Sequence, residues 1–194
     1  MSVRSVVEER ALVDGGETTA WGAARDRLAT PERDRTYWLS TLLPDGRPHV
    51  RPLLGLWLDD AFYFVTGERT RKGLNLAADP RCAVAASSQE LPALDVVLEG
   101  EARKVTDETV VRRVADAYGS AMGWPFEVRD GLVHGPNAPT AGPPPFVVWE
   151  LRPAAVVGLP GIAGTDSEGR GRAGSFAPTR WRFEAAGRRD NDRT

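Results

Sequence analysis

The sequence predicts a mainly β fold with flanking helices, built as an antiparallel barrel. Two features carry this expectation. Roughly seven short β-rich runs are joined by tight turns, and the helical stretches do not alternate with them as a parallel sheet would require. At 194 residues and 41% hydrophobic content the chain can bury one core, so a single domain is expected. The expected layout is a flexible amino terminus over 1–18, the barrel domain over 19–184 and a disordered tail over 185–194.

Residues 19–30, TAWGAARDRLAT, place Trp21, Ala24 and Leu28 at helical spacing before Pro31 and the charged residues after it end the helix. TYWLSTLL over 36–43 alternates Tyr37, Leu39, Thr41 and Leu43 on one face, and Pro44-Asp45-Gly46-Arg47 turns the chain back. The return strand, 49–58, puts His49, Arg51, Gly55 and Trp57 on one face and Val50, Leu54, Leu56 and Leu58 on the other. Pro52 inside it marks an edge or a bulge. Asp59-Asp60 turns into AFYFVT over 61–66, completing an expected three-stranded meander.

The run 67–80, GERTRKGLNLAADP, reads as a turn and a short helix capped by Thr70, with Leu74 and Ala77 on one side and Pro80 at its end. CAVAAS (82–87) and LDVVLEGEARKV (94–105) are strands, the second with a bulge expected at Gly100. Asp107 caps a helix reaching Met122, in which Val110, Val111, Val114, Tyr118 and Met122 recur at helical spacing. The Pro- and Gly-rich stretch 123–145 carries Trp124, Phe126 and Val128 and is expected to be a packed irregular loop or lid. FVVWELRP (146–153) and AAVVGL (154–159) read as two strands, 160–175 as a mobile loop, and PTRWRF (178–183) as the last strand.

A net charge of −2 provides no positive field for nucleic acid or an anionic membrane. No apolar run approaches the roughly eighteen residues of a membrane span, and acids stand where a signal peptide needs an apolar stretch, so a soluble cytoplasmic protein is expected. Cys82 is the lone cysteine and His49 and His134 are the two histidines, which leaves little for a Cys- or His-based metal site. His134 has no partner that spacing predicts, and no GxGxxG or P-loop occurs.

Chemistry concentrates between Thr66 and Asn75, where Arg69, Thr70, Arg71 and Lys72 meet the start of a helix. Unpaired helix N–H groups with an arginine and a lysine suit a phosphate dianion. The same composition also describes a solvated charged turn. Only Lys72 and Lys104 among the 25 basic residues are lysines, so Lys72 beside two arginines stands out. Arg51, on the face it shares with His49, can approach the same ligand or simply point outward. Trp181, between Arg180 and Arg182, can cover an aromatic ring system or anchor the last strand.

The run from Tyr37 to Ser87, with DGRPHV, FYFVTG, TRKGLNLAADPR, then VVLEGEARKV and the closing PTRWRF, resembles the pyridoxamine 5′-phosphate oxidase-like, FMN-binding split-barrel superfamily over about residues 20–184. The resemblance implies a homodimeric split β-barrel with flavin at the subunit interface and a small-molecule substrate. It places Arg51, Thr66, Arg71 and Lys72 on the flavin phosphate and ribityl chain, and His49, Val50 and Pro52 beside the ring. Trp181 and Arg182 would reach the ring from the partner subunit. Some relatives hold the deazaflavin coenzyme F420 in this groove, and others carry flavin or haem without turnover, so both stay open as alternatives to an FMN-dependent oxidoreductase. The chain departs from true vitamin-phosphate oxidases: no histidine follows His134. No catalytic acid or base is assigned.

Overall fold

The computed structural model describes residues 5–30, 35–88, 92–136, 140–161, 166–168 and 176–184. Its strands are β1 (Val6–Ala11), β2 (Tyr37–Leu42), β3 (Pro48–Leu53), β4 (Gly55–Leu58), β5 (Ala61–Thr66), β6 (Arg81–Ala86), β7 (Asp95–Lys104), β8 (Glu127–Arg129), β9 (Leu132–His134), β10 (Val147–Leu159) and β11 (Thr179–Phe183). Three helices join them among the described residues: α1 (Trp21–Ala29), α2 (Arg71–Ala78) and α3 (Glu108–Met122). The result is a mainly β, antiparallel architecture, as the turn-rich pattern led us to expect.

Strand β10 organises the sheet. One of its edges pairs with β7 along its length, while the other pairs with β5 over Val147–Leu151 and with β11 over Ala155–Gly158. Two expected strands are therefore one. The extra residue lies at Ala154, where Pro153 faces Gly100 and Ala155 faces Glu99, so the bulge sits in β10 and not in β7 as expected. Gly100 belongs to the same irregularity: a Cβ there would stand 2.8 Å from the Arg152 carbonyl oxygen.

The path β4–β5–β10–β7–β6–β2–β3 begins and ends on one covalent stretch, because β3 and β4 are separated only by Leu54. The expected meander is corrected accordingly: residues 48–53 pair with β2, and residues 55–58 pair with β5. Gly55 opens β4 where a Cβ would come within 2.1 Å of the Phe62 ring, so only glycine lets the backbone pass. Asp59 and Asp60, both at positive φ, make the tight turn between β4 and β5.

The barrel interior holds Leu39, Phe62, Phe64, Val84, Leu98, Leu151 and Val156, and α1 plugs one side with Trp21, Ala24 and Leu28. Each fully buried aromatic or aliphatic side chain contributes about 1.5–3 kcal/mol. A second cluster forms where Val111, Val114 and Tyr118 of α3 meet Tyr63, Val65 and Val148 on the other face of the sheet. Asp107 caps α3 by accepting from the Thr109 amide at 2.9 Å, and Gly123 ends it at φ 70°.

Three further expectations are corrected. Residues 6–11, expected to be flexible, form β1 against β11, with Glu9 opposite Trp181. That strand is legible only through its partner, because its side chains are mostly exposed and show no apolar alternation. The 123–145 stretch is not wholly irregular: β8 and β9 form a hairpin around Asp130-Gly131, both at positive φ, an Asp-Gly turn signal masked by the surrounding prolines. Helix α2 presents Leu74 to solvent and buries Lys72, Asn75 and Leu76, the reverse of the expected side. The expected tail, 185–194, and most of 160–175 lie outside the described residues.

Candidate functional site

Edge strand β3 and the start of α2 come together because α2 packs on β2, the hydrogen-bonded neighbour of β3. Between them opens a cavity of about 450 Å³ lined by Leu43, His49, Arg51, Thr70, Arg71, Lys72 and Thr140. Residues 49 and 51 share a strand face by the two-residue period, and the cap at Thr70 sets the direction in which residues 71 and 72 leave the helix. The residue pattern and the family resemblance together thus named five of these seven residues. Leu43 and Thr140 were missed; Thr140 arrives from the 123–145 stretch, more than sixty residues downstream, with no local signal.

The turn before α2 is tightly built. The Thr70 hydroxyl donates to the Gly67 carbonyl at 2.8 Å and accepts from the Gly73 amide at 3.2 Å, while the buried Thr66 hydroxyl lies 2.9 Å from it. Gly73 must be glycine, since a Cβ would stand 2.7 Å from the carbonyl oxygens of Gly67 and Glu68. The Lys72 ammonium turns inward and donates to the Thr140 carbonyl. Burial, reinforced by the charge of Arg51, lowers its pKa from 10.5 to about 8.

Across the molecule, arginines hold carboxylates: Arg47 pairs with Asp45, Arg81 with Asp79, Arg112 with Glu108 and Arg180 with Glu99. Among the described residues Arg51, Arg71 and Lys72 form no such pair. Three cations face one cavity with no carboxylate to neutralise them, an arrangement that repels itself until an anion enters. Neutral partners surround them: the Thr41 hydroxyl accepts from the Asn75 amide at 3.0 Å and lies 3.3 Å from Nδ1 of His49. Burial first, then the charges of Arg51, Arg71 and Lys72, lower the His49 pKa and favour a neutral ring. Its buried Nε2 has no hydrogen-bond partner among the described residues.

Other expected site residues lie elsewhere. Arg69 is exposed and does not line the cavity; Asn75 stands behind it as the support of Thr41. Val50 is 44% exposed on the opposite face of β3, and Pro52 borders a second pocket. Trp181 is fully buried in the barrel core against Trp21, its indole N–H donating to the Thr19 carbonyl at 2.9 Å, so it anchors β11 and offers no ring face to a ligand. Arg182 pairs with Glu8 of β1 at 3.6 Å.

The second pocket, about 220 Å³, lies between Pro52, Leu53 and Leu54 at the β3–β4 break, Val65 of β5, Tyr118 of α3 and the aromatic pair Trp124 and Phe126. Thr140 borders both pockets. The Tyr118 hydroxyl donates to the Leu54 carbonyl at 3.0 Å, and burial pushes its pKa up.

A fold of this topology with a cationic pocket at the strand edge defines a class of split-barrel protein. Residues 24–159 match the family model for pyridoxamine 5′-phosphate oxidase, and the chain belongs to that family. It is 41% identical over 102 residues to a pyridoxine/pyridoxamine 5′-phosphate oxidase of Pseudomonas paraeruginosa, covering 48% of this chain and 44% of that protein. A Cupriavidus taiwanensis protein of the same name is 40% identical over 81 residues, covering 41% and 35%. The matched segments therefore span less than half the length of these relatives. Among solved structures, a conserved hypothetical protein of Mycobacterium tuberculosis superposes with a TM-score of 0.54 at 18% identity, over 78% of this chain and 95% of that one, a likeness of fold. No helix among the described residues is long and apolar enough to cross a membrane.

Proposed function

We propose that the protein is a flavin-nucleotide-dependent oxidoreductase whose cationic cavity holds the phosphate of FMN. The observation that carries this reading is the convergence of Arg51, Arg71 and Lys72 without a carboxylate partner. Two arginines supply forked donors and Lys72 a point charge, while the first turn of α2 adds its amide dipoles. Thr70 lines the cavity and caps the helix that faces it, and the His49 Nε2, without a partner among the described residues, stands ready for one further polar contact. The residues present therefore fit a phosphate monoester.

When bound, FMN supplies the hydride acceptor or donor chemistry. The chain's own residues bind and orient: Lys72 is held by Thr140, His49 is positioned by Thr41 and Asn75 and kept neutral by burial and the nearby cations, and Gly73 permits the close turn. Among the described residues no carboxylate lines the cavity.

The reading includes a homodimer. Trp38 and Val50 are 49% and 44% exposed, and the residues sharing their sheet face on neighbouring strands include Ala83, Ala85, Val97 and Val157 along with Ser40 and Glu99. The outward face of an antiparallel sheet is ordinarily polar. Here apolar side chains make up most of the face, Glu99 is neutralised by Arg180, and the Arg182–Glu8 pair lies at the β1–β11 margin, a composition that suits a subunit interface.

Titration of purified protein with FMN, followed by quenching of flavin fluorescence, tests the cofactor. Changing Arg71 and Lys72 together to alanine should weaken FMN binding at least a hundredfold while leaving the thermal transition in place. Unchanged affinity in that double variant would remove the phosphate assignment. A parallel titration with coenzyme F420 separates flavin from deazaflavin: preferential binding of F420 replaces the FMN reading.

A further inference from the structure

Residues 140–142 cross over the turn that leads into α2 and are fastened to it at two points. The Ala141 carbonyl accepts from the Gly67 amide at 2.9 Å, and the Thr140 carbonyl accepts from the Lys72 ammonium. The crossing is close. A Cβ on Gly67 would stand 3.0 Å from the Ala141 carbonyl oxygen, and Gly142, at φ 77°, would bring a Cβ to 3.4 Å from Cγ2 of Thr70. Ala141 is buried in the cluster that joins α3 to the sheet, whereas Thr140 is exposed and lines the cationic cavity.

The two fastenings differ in kind. The Gly67 bond joins neutral backbone groups, while the Lys72 bond is charge-assisted and its donor is also a wall of the cavity. An ammonium has three N–H donors, so the Thr140 carbonyl leaves two for a ligand. Without a counter-ion, burial and the charge of Arg51 both disfavour the charged form of Lys72, and with it the bond to Thr140. A dianion reverses that field.

We propose that residues 140–142 are a strap that closes over the cavity when an anion occupies it, with Lys72 as the residue that couples the two. The fastened arrangement is the one in the structure, and the anion shifts the population toward it. Coupling is reciprocal, so an anion that tightens the strap is held more tightly by the fastened state. The coupling applies to any anion that the cavity takes; its use in retaining a cofactor rests on the flavin reading above.

Amide hydrogen exchange at Gly67 reads the strap directly, because Ala141 covers that N–H. The full chain is measured with inorganic phosphate as the minimal anion and separately with FMN, binding of each being followed by calorimetry. Saturation with either is expected to slow Gly67 exchange about tenfold, while the Val105 amide, bonded to Val148 in the sheet, stays unchanged. In Lys72→Met, saturated at the higher concentration that its weaker binding requires, Gly67 should not respond. Gly142→Val leaves every cation in place but strains the strap at its positive φ; it should speed Gly67 exchange and weaken phosphate binding by a similar factor. Anion binding that leaves Gly67 exchange unchanged, or an undiminished response in Lys72→Met, overturns the strap and leaves the flavin reading intact. A response to phosphate in a protein that does not bind FMN supports the strap and removes the flavin reading. Binding of neither anion removes both.

Discussion

At the scale of single residues, Lys72 couples the site to pH. Its pKa falls from 10.5 in an exposed chain to about 8 in the fold, so between those values the unfolded state carries more protons than the folded one. Stability from this group therefore rises as pH increases from about 8 toward 10, and its cost is fully present below pH 8. Against a Lys72→Met variant, thermal denaturation should show that extra rise in the parent protein alone. Parallel profiles for the two proteins would contradict a buried, destabilised ammonium. Anion binding runs the other way: affinity for inorganic phosphate should fall through the same interval as Lys72 loses its charge, a trend the methionine variant lacks. Arg51, Arg71 and Lys72 were legible in the sequence because charge and turn chemistry are local. Thr140 was not, since a loop residue carries no sign of the element it will meet.

At the scale of elements, the helices obeyed local rules at their ends and tertiary rules on their faces. Asp107 caps α3 and Thr70 caps α2 as expected. Asp107→Ala should destabilise the protein by about 1 kcal/mol, read as a lower midpoint in urea with an unchanged slope; no change would mean that α3 depends on packing alone. The buried side of α2 went the other way from its apolar pattern because Lys72 and Asn75 find partners, Thr140 and Thr41, that compensate their burial. Strand β10 read as two strands because Pro153 and the residues after it break the alternation at the bulge. Strand β1 was invisible for another reason: an edge strand with exposed side chains is held by backbone hydrogen bonds, to which sequence pattern is blind.

At the scale of the whole molecule, the apolar outer face of β2, β3, β6 and β7 is the feature with the largest consequence. Val50→Glu places a charge on its β3 edge, on a side chain already 44% exposed, so the fold should tolerate it. Sedimentation velocity is expected to show a dimer for the parent protein and a monomer for the variant, with FMN affinity reduced in step. A parent protein that sediments as a monomer would refute the dimer and leave the cationic cavity to bind alone.

The sequence by itself determined the antiparallel class, the turns at Asp45-Gly46 and Asp59-Asp60, the helix caps and the Arg69–Lys72 cluster of cations, because each depends on residues within a few positions of one another. The tertiary structure decided which strand β10 would hold on each edge, that β3 and β4 part at Leu54, that Trp181 belongs to the core and that Thr140 joins two pockets. Those outcomes depend on contacts between residues far apart in the chain, where the competing arrangements are decided by how side chains fill shared space.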